Sequence, residues 1–190
     1  MSSSPADLHL PAARKGGLGA LLRELGNYAE LSKLRLCLMV TLSTAVGFAL
    51  GAAGAVDWPR LWITVLGAGL AALGVNALNQ CLEADRDARM LRTRGRPLPA
   101  GLLSHGHGVL FGLSATALGP LILISVSAVA ALLTLLCAAI YLLAYTPLKP
   151  RTPLNTLVGA VCGGLPPMIG WAAAAGRPDA GAWILGASPF

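Results

Sequence analysis

The chain has 190 residues, of which 55% are hydrophobic and only 12% charged, with a mean hydropathy of +0.69. That is too apolar for a soluble domain with a polar surface, so much of the surface must face lipid. The net charge of +6 comes from 14 Lys and Arg against 8 Asp and Glu, and these basic residues flank hydrophobic runs, which argues against nucleic acid and for anionic lipid or a diphosphate.

Met1 to Gly17 is rich in Ser, Ala, Pro and Gly without an apolar period and reads as a disordered cytoplasmic tail (residues 1–17). Leu18 to Lys33 places Leu18, Leu21, Leu22, Leu25, Tyr28 and Leu31 among Arg23, Glu24, Glu30 and Lys33, so residues 18–35 read as an amphipathic helix in the headgroup region. A bilayer core about 30 Å thick takes roughly 20 apolar residues per helix. Such runs occur at about Leu36 to Val56, Leu61 to Cys81, Val109 to Val126, Ala128 to Tyr145 and Leu157 to Ala175, and a sixth begins near Ala180. Residues 36–190 therefore read as an all-α, multi-pass transmembrane helical bundle. Gly108 to Tyr145 carries no charge, and only Pro120 and the Ser125 to Ser127 stretch separate its two runs.

The basic residues decide that ambiguity, because cytoplasmic loops retain an excess of Lys and Arg. Arg14, Lys15, Arg23, Lys33 and Arg35 precede the first span, Arg86, Arg89, Arg92, Arg94 and Arg96 follow the second, and Lys149 and Arg151 follow the fourth. Arg60 and Arg177 alone fall on the other side. Five separate spans put the N-terminus and the loop after span two in the cytoplasm, as expected for a bacterial inner membrane protein. Fusing the third and fourth would strand Lys149 and Arg151 outside.

Cys37, Cys81, Cys137 and Cys162 form neither a CxxC pair nor a ligand cluster and read as packing residues. Gly67, Gly74, Gly159, Gly163 and Gly164 suit close helix packing. Pro166-Pro167 within the fifth run is expected to break or kink its helix. His105 and His107, between glycines, read as an interfacial connection rather than as ligands.

Chemistry concentrates at one place. Asn79, Glu83 and Asp87 are spaced i, i+4, i+8, so on a helix they form one polar stripe drifting about 40° per step, with Asp85 on a neighbouring face. Clustered hard oxygen atoms suit Mg²⁺, which is held by one or two carboxylates together with substrate phosphates. Arg86, Arg89, Arg92, Thr93, Arg94 and Arg96 follow directly, and guanidinium groups bind phosphate oxygens bidentately. The same pattern also fits a solvated helix end whose arginines are topology signals and whose carboxylates are their ion-pair partners.

The run from Asn79 to Leu98, N-x-x-x-E-x-x-x-D-x-x-M-x-R-T-x-x-R-P-L, resembles the first acidic motif of the UbiA-type membrane prenyltransferases, in the form found in the protohaem IX farnesyltransferases (haem O synthases). Leu31-Ser32-Lys33-Leu34-Arg35 is similar to the segment leading into that family's first span, with Leu34 in place of its usual proline. Tyr145 to Asn155, followed by Gly159, Gly163, Gly164, Pro166, Pro167, Gly170, Trp171 and Gly176, resembles its central region. The resemblance implies a bundle of about nine spans that transfers a farnesyl group from farnesyl diphosphate to haem B, making haem O. By that resemblance Asn79, Glu83 and Asp87 would hold Mg²⁺ and diphosphate, and Arg92 and Arg96 would steady the leaving group. Tyr145 and Lys149 could reach the diphosphate from the facing loop, or serve only as interfacial anchors. Haem A synthase or oxidase assembly factors are the partners so implied. The family's second acidic motif and His-containing loop are not among these 190 residues, so a fragment, inactive alone, is the expectation. A quinone or chlorin acceptor is the nearest alternative activity; a non-catalytic scaffold or transporter fragment is the alternative from another class.

Overall fold

The computed structural model describes residues 18–187, so the tail expected at residues 1–17 and the last three residues lie outside it. Among the described residues the structure is helical, in the order α1 (Leu18–Leu31), α2 (Leu34–Gly51), α3 (Trp58–Ala88), α4 (His105–Ile124), α5 (Ala128–Leu148), α6 (Asn155–Ala175) and α7 (Ala180–Ala187). Helices α2 to α6 are each long and apolar enough to cross a membrane. Their outward leucines, such as Leu42, Leu66, Leu121 and Leu132, are largely exposed, which is the surface of a multi-pass membrane protein. The expected separation of the third and fourth spans is present. Ser125 and Val126 form the turn, and the Ser127 hydroxyl accepts from the Ala130 N–H to cap α5.

Two interlocked helix pairs organise the bundle: α3 against α4 and α2 against α6. At each crossing a glycine lies against the backbone of the partner helix. A Cβ on Gly74 would stand 2.6 Å from the Gly112 carbonyl oxygen, and one on Gly170 would meet the Thr44 carbonyl and stand 2.6 Å from the Phe48 nitrogen. Small residues let membrane helices come this close, where packing rather than hydrophobic transfer drives association. Gly67, Gly74 and Gly164 pack as expected. Gly163 does not: nothing stands within 4 Å of the place its Cβ would take, and it lines a cavity instead.

Three further expectations are corrected. Pro166 and Pro167, expected to break or kink their helix, do not break it; both lie inside a continuous α6. The two carbonyls that lose their i+4 donors belong to Cys162 and Gly163, which line the cavity, and the Cys137 thiol lies 3.8 Å from the former. His105 and His107 open α4 rather than lying in a loop, with the Ser104 hydroxyl accepting from the His107 N–H. The helix expected over residues 18–35 stops at Leu31, because Lys33 takes a left-handed backbone conformation, φ 50°, at the joint with α2.

Opposite the basic end, Asp57 caps α3 and Arg60 donates to the carbonyls of Val126 and Ala173 at 3.3 and 3.0 Å. One side chain thereby ties α3 to the α4–α5 turn and to the last turns of α6. Beside it sits the apolar core of Phe48, Leu61, Leu123, Ala130, Ala131, Ile169, Ala172 and Ala173.

Candidate active site

Helix α3 is 31 residues long, about 46 Å at 1.5 Å per residue, and so runs well past the bilayer core at its C-terminal end. That overhang carries the acidic motif. Asn79, Glu83 and Asp87 project from one face as their spacing requires, and they are 0%, 4% and 5% exposed. Asp85 lies on the exposed face and takes no part. The solvated-helix-end alternative is therefore disfavoured: the stripe faces into the protein.

Burying two carboxylates in an apolar bundle is costly unless each is paired. Three different segments supply the partners. The Lys149 ammonium, just after α5, donates to both Glu83 oxygens at 2.9 and 3.3 Å. The Arg96 guanidinium, from the loop after α3, donates to Asp87 Oδ2 in a short hydrogen bond. The Lys33 ammonium donates to Asn79 Oδ1 at 2.6 Å. These three cations outnumber the two carboxylates, and the half-exposed Arg86 also stands 4.0 Å from Glu83, so the stripe has a positive surround. Burial pulls the Lys33 ammonium below the usual lysine range, and Glu83 acts against that shift.

Supporting residues fix these groups. Asn79 Nδ2 donates to the Thr146 hydroxyl at 3.0 Å, which turns Oδ1 towards Lys33, and Thr146 in turn donates to the Tyr141 carbonyl at 2.8 Å. Gln80 Nε2 donates to the Glu30 and Leu31 carbonyls, both at 2.8 Å, pinning the end of α1 and with it the left-handed joint that aims Lys33. The Thr93 hydroxyl donates to the Asp87 carbonyl and anchors the loop that brings Arg96 back.

Helix α5 contributes through a π-helical segment, Ile140–Tyr145. Pro147 has no N–H, and its ring would collide with the Leu143 carbonyl in a straight α-helix; widening by one residue relieves this and lets the Thr146 N–H take the Tyr141 carbonyl. Tyr141 and Tyr145 then stack, with centroids 4.9 Å apart, at the mouth of an apolar cavity of about 270 Å³. The cavity runs between α2, α3, α5 and α6, from Asn76, Tyr145 and Gly159 near the stripe down to Ala68, Thr134 and Ile169. On the outer flank of the α1–α2 joint, a more open groove includes Lys33, Arg35, Gln80 and Arg96 and shares Leu36 with the cavity.

Of the residues singled out from sequence, the fold thus assembles Asn79, Glu83, Asp87, Arg96, Lys149 and Tyr145 into one site. Arg92 is exposed in the loop and makes no ion pair with a described carboxylate. Sequence reasoning did not place Lys33, Thr146 or Gln80 in the site. Lys33 stood in a segment already noted for its resemblance; Thr146 and Gln80 become visible only once the π segment and the α1–α2 joint are known. The donor set fits a divalent cation in kind, two carboxylates and an amide oxygen on one face, as Mg²⁺ requires when phosphates complete its shell.

Comparison with known proteins agrees with this architecture. Residues 40–190 match the UbiA prenyltransferase family. The human protein named "Protoheme IX farnesyltransferase, mitochondrial" is 43% identical over 162 residues, covering 85% of this chain and 36% of its own length. "Protoheme IX farnesyltransferase" of Solibacter usitatus is 40% identical over 174 residues, covering 86% of this chain and 60% of its own. The chain therefore spans between about a third and three fifths of the length of these relatives. A solved structure described as giving insights into the biosynthesis of digeranylgeranylglyceryl phosphate synthase in membranes superposes with a TM-score of 0.78. It is 17% identical, with 86% of this chain and 57% of that one covered, and so bears on the fold alone. A buried acidic stripe at the mouth of an apolar cavity in a membrane bundle, matched over residues 40–190 by the family's own pattern, leads to one assignment: the chain belongs to the UbiA prenyltransferase family.

Proposed function

We propose that this chain carries the donor site of a farnesyltransferase that moves the farnesyl group of farnesyl diphosphate onto haem B, making haem O and releasing diphosphate. The observation that carries the reading is the buried Asn79–Glu83–Asp87 stripe, ringed by Lys33, Arg96 and Lys149, directly above an apolar cavity. Only an amphiphile with an anionic head and an apolar tail suits both halves. The haem acceptor rests on the names of the relatives at 40 to 43% identity. The basic groove beside the cavity, with exposed Arg35, suits an acidic planar acceptor.

Chemically, the allylic C1–O bond breaks with its electron pair leaving on the diphosphate, and the haem vinyl group supplies the pair for the new C–C bond; the cation left on the haem-side carbon takes up water through its oxygen, and the proton that water loses is accepted by the released diphosphate or by solvent. Negative charge grows on the leaving oxygens as the bond breaks. Preorganised cations in a low-dielectric site stabilise that charge most at the transition state. Lys33, Lys149 and Arg96 are already held there by the stripe, and Arg92, exposed and unpaired with described carboxylates, can swing in from the loop as a second guanidinium. Glu83, Asp87 and Asn79 would hold Mg²⁺, which would neutralise the leaving diphosphate. Tyr141 and Tyr145 shield the cavity mouth and keep water from the allylic cation. The charge distribution fits a bacterial cytoplasmic membrane with the stripe on the cytoplasmic side.

The test is haem O formation by the full-length gene product in membranes, followed by chromatography and mass spectrometry. Glu83→Ala and Asp87→Ala should each lower turnover by on the order of a hundredfold or more at unchanged protein level. Wild-type turnover in either variant would remove the metal assignment. Arg96→Lys should lose most activity, because a lysine cannot supply two parallel N–H donors.

A further inference from the structure

The cavity below the stripe has a measurable depth. On α3 its lining runs from Asn76 to Ala68, on α5 from Tyr145 to Thr134, and on α6 from Gly159 to Ile169. The α5 and α6 paths cover eleven and ten residues, about 15 Å at 1.5 Å per residue, and the α3 path, which begins almost one turn below Asn79, covers eight. On these helices the lining ends at Ala68, Thr134 and Ile169, which form the bottom. Ile169 there lines the cavity and also belongs to the core of Phe48, Leu61, Leu123, Ala172 and Ala173. Ile169 is buried, and the Thr134 hydroxyl is tied to the Ala130 carbonyl at 2.8 Å, so neither side chain is loose. The walls above are made by small residues, including Ala71, Ala72, Ala138 and Gly163, which leaves a narrow shaft.

A prenyl tail can be laid against that depth. Three backbone bonds reach at most about 3.6 Å, so the four chain bonds of an isoprene unit reach about 4.8 Å. Three units need about 14 Å and four about 19 Å on the same basis. The first fits the shaft; the second overruns its floor by about 4 Å.

We propose that this floor, Ile169 with Ala68 and Thr134, is the ruler that sets the donor at three isoprene units. The inference rests on the prenyl-donor reading of the site and adds its length selectivity. Residues at the floor touch only the tail end of the donor, far from the breaking bond, and so act on choice of chain rather than on ionisation.

The experiment compares geranyl, farnesyl and geranylgeranyl diphosphates as donors to haem B, using the full-length gene product, by kcat/KM and by competition binding of the three diphosphates. A hydrophobic pocket that is one methylene too short or too long already discriminates by about tenfold or more. Wild type should therefore favour farnesyl over geranylgeranyl by at least about that factor. Ile169→Ala opens the floor and should narrow the preference about tenfold. Thr134→Leu and Ala68→Leu raise it and should shift the preference towards geranyl by a similar factor, and they carry the test if Ile169→Ala does not fold. A wild type that uses the two longer donors equally, or floor variants that keep the wild-type ratio, would overturn the ruler while leaving the donor site intact. Failure of wild type to bind or transfer any of the three would remove the donor reading and the ruler with it.

Discussion

Removing the Lys149 ammonium isolates the energetic logic of the stripe. Lys149 Nζ lies 2.9 Å from Glu83 Oε1, and the Glu83 side chain is only 4% exposed, so Lys149→Gln leaves a buried carboxylate without its main partner. Breaking a fully buried pair in this way costs about 3–5 kcal/mol. Two features reduce that figure. The Lys149 side chain is 42% exposed and its charge is partly screened, and Arg86 remains 4.0 Å from Glu83 as a weaker substitute. About 1–2 kcal/mol is the resulting expectation. For a chain of this size each kcal/mol moves Tm by about 2–4 °C, so thermal unfolding in detergent should fall by roughly 2–8 °C. Glu83→Gln in the Lys149→Gln background should recover part of the loss, because the uncompensated charge is gone. An unchanged Tm in Lys149→Gln, or a double variant showing the plain sum of both losses, would refute the pairing.

At the α2–α6 crossing, Gly170→Ala should lower stability by about 1–3 kcal/mol or more, since its Cβ meets the backbone of Thr44 and Phe48, whereas Gly163→Ala should leave the unfolding midpoint nearly unchanged because open space surrounds it. Arg60→Ala should cost about 2 kcal/mol through loss of its bonds to the Val126 and Ala173 carbonyls, read as a Tm shift, while diphosphate affinity at the opposite end stays the same. Lys33 titrates below its unfolded value of 10.5, so the unfolded chain holds more protons between the two values and stability rises with pH across that window. Unfolding midpoints measured on either side of the window should show that rise in the wild type and lose it in Lys33→Met.

Much of this architecture is written in the sequence because lipid imposes a strong filter. Runs of about twenty apolar residues can hardly be anything but spans, and the segregation of basic residues separates α4 from α5 where hydropathy alone does not. The stripe was legible for the same reason that helices are: Asn79, Glu83 and Asp87 share a face at any plausible helix register. What surrounds it was less so. Lys33 reaches Asn79 only because the backbone turns left-handed at that residue, and non-glycine residues seldom do so. Thr146 bonds Asn79 only because a π turn precedes Pro147. Neither a left-handed lysine nor a π segment has a periodic signature. The Pro166-Pro167 pair misled for a related reason: proline's cost in a helix is the loss of a donor and a clash, and a cavity-lining carbonyl can bear the first while the helix continues.

The pairing of the stripe also couples the binding of its two ligands. Every stripe residue already holds an ammonium or a guanidinium, from Lys33, Lys149 or Arg96. Mg²⁺ alone would have to take Glu83 and Asp87 away from those cations and would add two positive charges to a site that already has more cations than carboxylates, in a place where uncompensated charge is costly. A prenyl diphosphate carries up to three negative charges, and its oxygens give each displaced cation a new partner. Metal and diphosphate should therefore bind together more tightly than either binds alone. Coupling between two such sites is typically worth 5- to 150-fold, and it must be reciprocal. Isothermal titration of Mg²⁺ into the full-length protein, with and without a non-reactive farnesyl diphosphate analogue, would measure it. Tenfold tighter Mg²⁺ binding with the analogue present, matched by tenfold tighter analogue binding with Mg²⁺, is the expected result. Equal Mg²⁺ affinity in both conditions would mean that the carboxylates are not released by the arriving phosphate, and the lysines and Arg96 would then be permanent structural partners of the stripe rather than the cradle of the leaving group.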